Sequence, residues 1–232
     1  MNKKKIIVIE GTDGSGKKTQ TDHLKKRLEK EGFRVEKRDY PNYKNFFGIW
    51  IGRFLSDPKY GWVNIPPIIA SVFYAANRWL DKEDLKKIIQ HNDMVIFDRY
   101  VSANQIHQGG KIKDIVERKE FLKTLDMLEY EVFGIPKPQI VFFLDLPVAL
   151  SEQLLKKRDQ KTSREYLGGK ADVHETNAEF KKNSHETAVW LSETQPGWIR
   201  INCVKDNKIR SEYDIHEEIY TKLMDFLKKT HL

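Results

Sequence analysis

The run Gly11-Thr12-Asp13-Gly14-Ser15-Gly16-Lys17, followed by Lys18 and Thr19, has the spacing of a loop that wraps a polyphosphate. Its three glycines let successive backbone N–H groups curl around an anion, and Lys17 supplies a charge that can bridge the β- and γ-phosphates of a nucleotide. One position departs from the pattern: the residue after the lysine, where a hydroxyl normally ligates magnesium, is Lys18, with Thr19 one place later. A lysine ammonium cannot ligate a metal, so magnesium would have to rely on phosphate oxygens, water and a carboxylate elsewhere.

Asp98-Arg99-Tyr100 follows the apolar run Met94 to Phe97 (MVIF). If that run is a parallel strand, the triplet stands at the carboxyl edge where such sheets bind ligands. Asp98 could hold hydrated magnesium there, and the fork of Arg99 could grip a phosphate; a surface ion pair is the plain alternative. In Tyr74-Ala-Ala-Asn-Arg78-Trp79 the i, i+4 pair Tyr74 and Arg78 shares one helical face. An aromatic ring that stacks beside an arginine that donates would make a nucleobase pocket, although without the other motifs the pair reads first as a core aromatic beside an exposed arginine.

These residues need strands and helices in alternation, and the hydrophobic pattern provides them. Lys5 to Glu10 (KIIVIE) is a β-branched run too short for a helix, and Thr19 to Lys30 brings Leu24 and Leu28 to one helical face. Arg34 to Tyr40 alternates weakly, as a strand near a sheet edge would; Gln139 to Leu144 (QIVFFL) and Trp198 to Val204 (WIRINCV) complete five strands. Helical periodicity covers Lys111 to Phe133, Val148 to Lys157, Glu175 to Leu191 and Asp214 to Lys229. The expectation is an α/β fold of three layers, a five-stranded parallel sheet covered on both faces, in one domain over residues 1–232. Arg158 to Val173, charged and carrying Gly168 and Gly169, breaks the pattern and reads as a mobile lid.

Composition narrows the partners. Of 232 residues, 39% are hydrophobic and 32% charged, enough apolar material for a core and too much charge for a membrane protein. The longest uncharged stretch, Tyr60 to Asn77, holds Pro66 and Pro67 and reads as a buried loop and helix. Only Ile6 to Ile9 is apolar after the basic start, so no export signal is expected, and the single cysteine, Cys203, favours a reducing, cytoplasmic setting. The net charge of +7 suits phosphorylated small molecules; basic residues are interleaved with acids and form no stripe, so neither nucleic acid nor membrane is expected as a partner.

Taken together, EGTDGSGKKTQ (Glu10 to Gln20), FYAANRW (Phe73 to Trp79), DRYVSANQIHQGG (Asp98 to Gly110), PQIVFFLDLP (Pro138 to Pro147) and DVHE (Asp172 to Glu175) make a chain that resembles the thymidylate kinases over nearly its whole length. The resemblance implies the P-loop nucleoside monophosphate kinase fold and transfer of the ATP γ-phosphate to dTMP, giving dTDP and ADP in dTTP biosynthesis. It also implies Mg2+, and a homodimer formed through the second and third helices within Asn45 to Leu85.

By the same resemblance, Arg99 holds the dTMP phosphate, Arg78 the thymine, and Tyr74 or its neighbour Phe73 stacks on the base. Asn104 and Gln108 line the base and sugar pocket. Asp13 contacts the sugar 3'-hydroxyl, helix capping being its alternative. His107 stands where many members carry a tyrosine that crowds the sugar 2'-position. The family places a catalytic arginine either in the phosphate loop or in the lid. Here Gly14 follows Asp13, so the lid must supply it, from Arg158 or Arg164 with Lys161; Arg164, further into the lid, is favoured. A deoxynucleoside kinase and a phosphate-loop protein without turnover are the competing readings.

Overall fold

The computed structural model describes residues 5–159 and 177–229. Its centre is a five-stranded parallel sheet in the order β2-β3-β1-β4-β5, with β1 at Lys5–Gly11, β2 at Val35–Asp39, β3 at Met94–Asp98, β4 at Ile140–Asp145 and β5 at Trp198–Asn202. The three inner strands read as near-continuous apolar runs because helices cover both of their faces. Edge strand β2, VEKRD, is mostly half-buried, which is why its alternation was weak.

One face packs against α1 (Lys17–Lys30) and the C-terminal helix α9 (Glu212–Lys229): Leu24, Leu28, Ile215, Ile219 and Leu223 close on Ile7, Ile9 and Phe142. The opposite face lies under α4 (Lys82–His91), α5 (Val101–His107), α6 (Ile115–Asp126) and α8 (Ala178–Thr194). Helices α2 (Phe46–Ser56) and α3 (Pro67–Leu80) pack on each other around Ile51, Leu55, Trp62 and Ala70, while α7 (Val148–Asp159) lies over the loop after β1.

The register decides what the sheet can do. Pairing of Ile9 with Asp98 and of Gly11 with Leu144 opens the turns after β1, β3 and β4 on the same carboxyl edge. No helix among the described residues is long and apolar enough to cross a membrane.

Several boundaries differ from those read in the sequence. Lys111 to Phe133 is not one helix: the Asp114 carboxylate accepts from Val116 N and Glu117 N at 2.8 and 2.9 Å, so α6 begins at Ile115, and Met127–Val132 widens into a π turn. Helix α8 begins at Ala178 because Asn177 caps it, accepting from Phe180 N at 2.9 Å. The last strand stops at Asn202, whose side chain accepts from Val204 N; the chain then forms a small hairpin, β6 (Val204–Lys205) with β7 (Lys208–Ile209). Its turn residues Asp206 and Asn207 sit at φ 50° and 58°, a left-handed pair that matches strand twist. Of the expected lid, Arg158 belongs to the last turn of α7, while Lys161, Arg164 and the DVHE segment lie outside the described residues.

Candidate active site

A cavity of about 780 Å3 opens at the carboxyl edge of the sheet, floored by the loop after β1 and walled by α3, α5 and α7. The sequence of that loop dictates its shape. Gly14 and Gly16 adopt φ 82° and 87°, conformations that side-chain-bearing residues resist. Gly16 occupies the N-cap position of α1 and offers no side-chain cap, so the first N–H groups of the helix remain open to an anion.

Lys17 is buried, and its Nζ donates to the carbonyl oxygens of Gly11 and Thr12, both at 2.9 Å. Burial, and then the neighbouring positive charge of Arg99, push its pKa down to about 8, against the opposing pull of Asp13, Asp98 and Glu10. The buried hydroxyls of Thr12 and Ser15 have no hydrogen-bond partner among the described residues, so polar capacity at the loop is unspent.

At Gly14 a Cβ would stand 2.6 Å from the Ser151 carbonyl oxygen and 2.8 Å from Leu155 Cγ, both on α7. A side chain at this position would therefore collide with α7. Lys18 is exposed at the rim and Thr19 is half-buried on the cavity wall.

The acceptor side comes from the turn after β3. Asp98 faces the cavity; burial raises its pKa while Lys17 and Arg99 pull the other way. Arg99 has φ 66°, an uncommon conformation for a residue with a long side chain. Its Nη2 donates to Asp13 Oδ1, and its Nη1 lies 3.0 Å from His107 Nε2. A guanidinium can only donate, so His107 Nε2 accepts and the ring proton sits on Nδ1, facing Ser184 Oγ at 3.1 Å. Burial would lower the pKa of Arg99, but Asp13, Glu10 and Asp98 outweigh it and hold the guanidinium charged. Asp13 therefore serves Arg99 and does not cap α1, which corrects the capping alternative.

Behind this turn, Tyr100 N and Ser102 Oγ donate to Oε1 of the buried Glu10 at 3.1 and 2.7 Å, which fixes the backbone on either side of the cavity edge. Burial raises the pKa of Glu10, and Arg99 is the largest force against it.

At the other end of the cavity are Tyr74 and Arg78 on α3. The Tyr74 hydroxyl accepts from Trp62 Nε1 at 3.3 Å. Phe73, the other stacking candidate, does not line the cavity: its ring packs against Phe47, Phe54 and Trp62 with centroids 5.4–5.9 Å away. Arg78 is buried, paired through Nε and Nη2 with the Glu129 carboxylate. Asn104 Nδ2 donates to Ser71 O at 3.3 Å, and Gln108 Oε1 is buried without a partner among the described residues. Sequence reasoning missed the supporting role of Glu10 beneath the turn, and missed Glu129 and Ser184 altogether. Glu10 carried a signal, being a charge at the end of an apolar strand; the other two looked like ordinary helical polar residues.

Comparison with known proteins agrees with this geometry. The thymidylate kinase family model matches residues 9–219. A probable thymidylate kinase of Methanococcus aeolicus is 29% identical over 95% of this chain and 96% of its own. Probable thymidylate kinase 1 of Saccharolobus solfataricus is 30% identical over 74% of this chain and 80% of its own. Among solved structures, a thymidylate kinase from Candida albicans superposes with a TM-score of 0.72 at 19% identity, covering 99% of this chain and 94% of that one, and so shows a shared fold. With the family model spanning most of the chain, this protein belongs to the thymidylate kinase family, whose members phosphorylate dTMP to dTDP with ATP in dTTP synthesis.

Proposed function

We propose that this chain transfers the γ-phosphoryl group of ATP to dTMP, with the ATP phosphates on the loop Gly11 to Thr19 and the dTMP phosphate on Arg99. The observation that carries the reading is the convergence of Lys17 and Arg99 on one cavity from the turns after two strands, close enough that the charge of Arg99 helps to push the pKa of Lys17 down. Phosphoryl transfer asks little covalent work of a protein; it asks that two anions be brought together and the charge on the migrating group be compensated. Lys17 acts from the donor side and Arg99 from the acceptor side. The acceptor phosphate is already a nucleophile, so no general base is needed.

Asp13 steadies Arg99 and reaches the sugar hydroxyl. At the base end Tyr74 stacks, Arg78 donates, and Asn104 with Gln108 completes the pocket; the unpartnered Gln108 oxygen suits the N3–H of thymine. His107 lies beside Arg99 at the level of the sugar and sets how closely a 2'-substituent is tolerated. Arg158 or Arg164 supplies the further cation that Gly14 cannot.

The donors fit magnesium: Asp98 faces the cavity, its carboxylate accepts no hydrogen bond among the described residues, and Lys17 and Arg99 favour its charged form against the effect of burial. Asp98 with phosphate oxygens would hold Mg2+, which when bound supplies charge neutralisation to the phosphates. Lys18, exposed and without an oxygen, plays no part in that.

A homodimer suits the outer face of α2 and α3, where Phe46, Ile49, Ile69, Val72, Trp79 and Leu80 are all exposed. Incubating the protein with ATP, magnesium and dTMP and resolving ADP and dTDP tests the function; turnover of thymidine instead of dTMP would favour a deoxynucleoside kinase, and no turnover would overturn the reading. Light scattering at micromolar concentration tests the dimer.

A further inference from the structure

Glu129 does not line the cavity, yet it controls a residue that does. Its fully buried side chain projects from the π turn Met127–Val132 toward Arg78 on α3. Arg78 Nε donates to Oε2 at 3.1 Å, Nη2 donates to Oε1, and Nη1 donates to Tyr100 O at 3.4 Å. A guanidinium carries five N–H bonds, so this side-on fork leaves one hydrogen on Nη1 and one on Nη2 uncommitted. The fork also fixes the plane of the group, and with it the directions in which those hydrogens point.

Two further facts bear on purpose. A buried ion pair is a poor way to glue helices, because desolvating both charges offsets most of their attraction and an apolar pair would hold α3 to the π turn as well. The helix widens at the residue where the carboxylate must enter, a local irregularity that tends to accompany function.

We propose that Glu129 is a positioning residue for base recognition: it aims the free N–H groups of Arg78 at a ring carbonyl oxygen and cancels the arginine's charge. The cavity then favours a 4-oxo pyrimidine over a 4-amino one, which would oppose donor with donor. Because Arg78 reads the base as a directed, charge-compensated donor, it does not compete with Arg99 for the substrate's phosphate. The inference rests on the dTMP kinase reading above.

The test is steady-state kinetics of the wild type, Glu129→Gln, Arg78→Met and the double variant, with dTMP, dCMP and ATP varied in turn. Glu129→Gln should raise the KM for dTMP about tenfold and shrink the dTMP-to-dCMP preference by a similar factor, since a misdirected donor leaves buried polar groups unpaired. The KM for ATP should stay within about twofold of the wild type, and in the Arg78→Met background Glu129→Gln should add less than about twofold, because it acts only through Arg78. If Glu129→Gln does not fold, Glu129→Asp, which keeps the charge but cannot reach both nitrogens, decides by the same signature at smaller size. Unchanged dTMP KM and selectivity in a folded variant, or an equal rise in both KM values, overturns the proposal. A wild type that does not phosphorylate dTMP at all would instead overturn the functional reading beneath it.

Discussion

Arg99 combines an uncommon backbone conformation with a charge proposed to hold the acceptor phosphate, and a pair of substitutions separates the two. At φ 66° any residue with a Cβ is strained by about 1 kcal/mol, a cost that glycine avoids. Arg99→Gly and Arg99→Ala both delete the contact to Asp13 and the hydrogen bond to His107, so those losses cancel between them. The glycine variant should therefore be the more stable of the two by about 1 kcal/mol, or roughly 2–4 °C in melting temperature for a chain of this size. Both variants lose the same grip on the acceptor phosphate. A hydrogen bond to a charged group contributes about 1.5–3 kcal/mol, so a two-pronged contact in a sheltered cavity is worth on the order of 3 kcal/mol, roughly a hundredfold in kcat/KM for dTMP. Calorimetry and initial-rate assays on the same preparations give both numbers. A variant that keeps kcat/KM for dTMP within a few-fold would remove Arg99 from the acceptor site, and an alanine variant as stable as the glycine one would refute the strained turn.

Titration of Lys17 should be visible in catalysis: with its pKa pushed down to about 8 it loses its charge as pH rises through that value, so kcat/KM for ATP should fall above about pH 8. Bound phosphates favour the charged form, so the matching limb of kcat should lie at higher pH, and coincident limbs would count against Lys17. Asp145, bonded to His185 at 2.7 Å and to Arg200 at 2.8 Å, has its pKa lowered by those partners, which outweigh its burial. Its stabilisation is complete above the unfolded value near 4 and fades as pH falls through the folded one, so Asp145→Asn should flatten the acid limb of a stability curve below about pH 4. Arg164→Ala and Arg158→Ala should lower kcat more than either KM, Arg164 more strongly; if neither does, the missing cation lies elsewhere. Lys18→Thr should leave turnover unchanged or modestly tighten magnesium dependence, whereas Asp98→Ala should weaken it strongly; a magnesium titration of both decides.

The phosphate loop, the five strands and the carboxyl-edge placement of Asp98 and Arg99 were legible because each is encoded locally, by glycine spacing or by an apolar run bounded by turns. Helix α2 was not: Phe46–Ser56 carries Phe46 and Ile49 on its exposed side as well as Ile51 and Leu55 on its buried side, so no periodicity separates the faces. Helix α5, seven residues long, is too short to show a period. The break before α6 depended on one capping carboxylate, Asp114, that a hydrophobic pattern passes over. The choice between Phe73 and Tyr74 was open in sequence because adjacent helical residues differ in direction by about 100°, and only packing against α2 showed which one turns toward the cavity. Glu129 was beyond reach for another reason: its partner Arg78 is 51 residues away, and a glutamate in a helical pattern reads as solvated surface.

The cavity treats its two arginines in opposite ways, and that difference gives it a direction. Arg78 and Glu129 have side-chain exposures of 3% and 0%, so the pair is sealed and its charges cancel at close range. Arg99 and Asp13 are 22% and 23% exposed, open to solvent and to an incoming anion that can share the guanidinium. A nucleoside monophosphate carries its charge at one end only. In the proposed binding mode its phosphate is drawn to the exchangeable cation beside Lys17, while its base meets a neutralised donor that rewards a carbonyl oxygen and offers an anion little. These contacts are built from the protein's own side chains, held by Glu10 beneath the turn, Asp13 across it and Glu129 behind α3. The protein therefore need not reorganise its dipoles when the phosphoryl group moves, which is where such a site gains most over water.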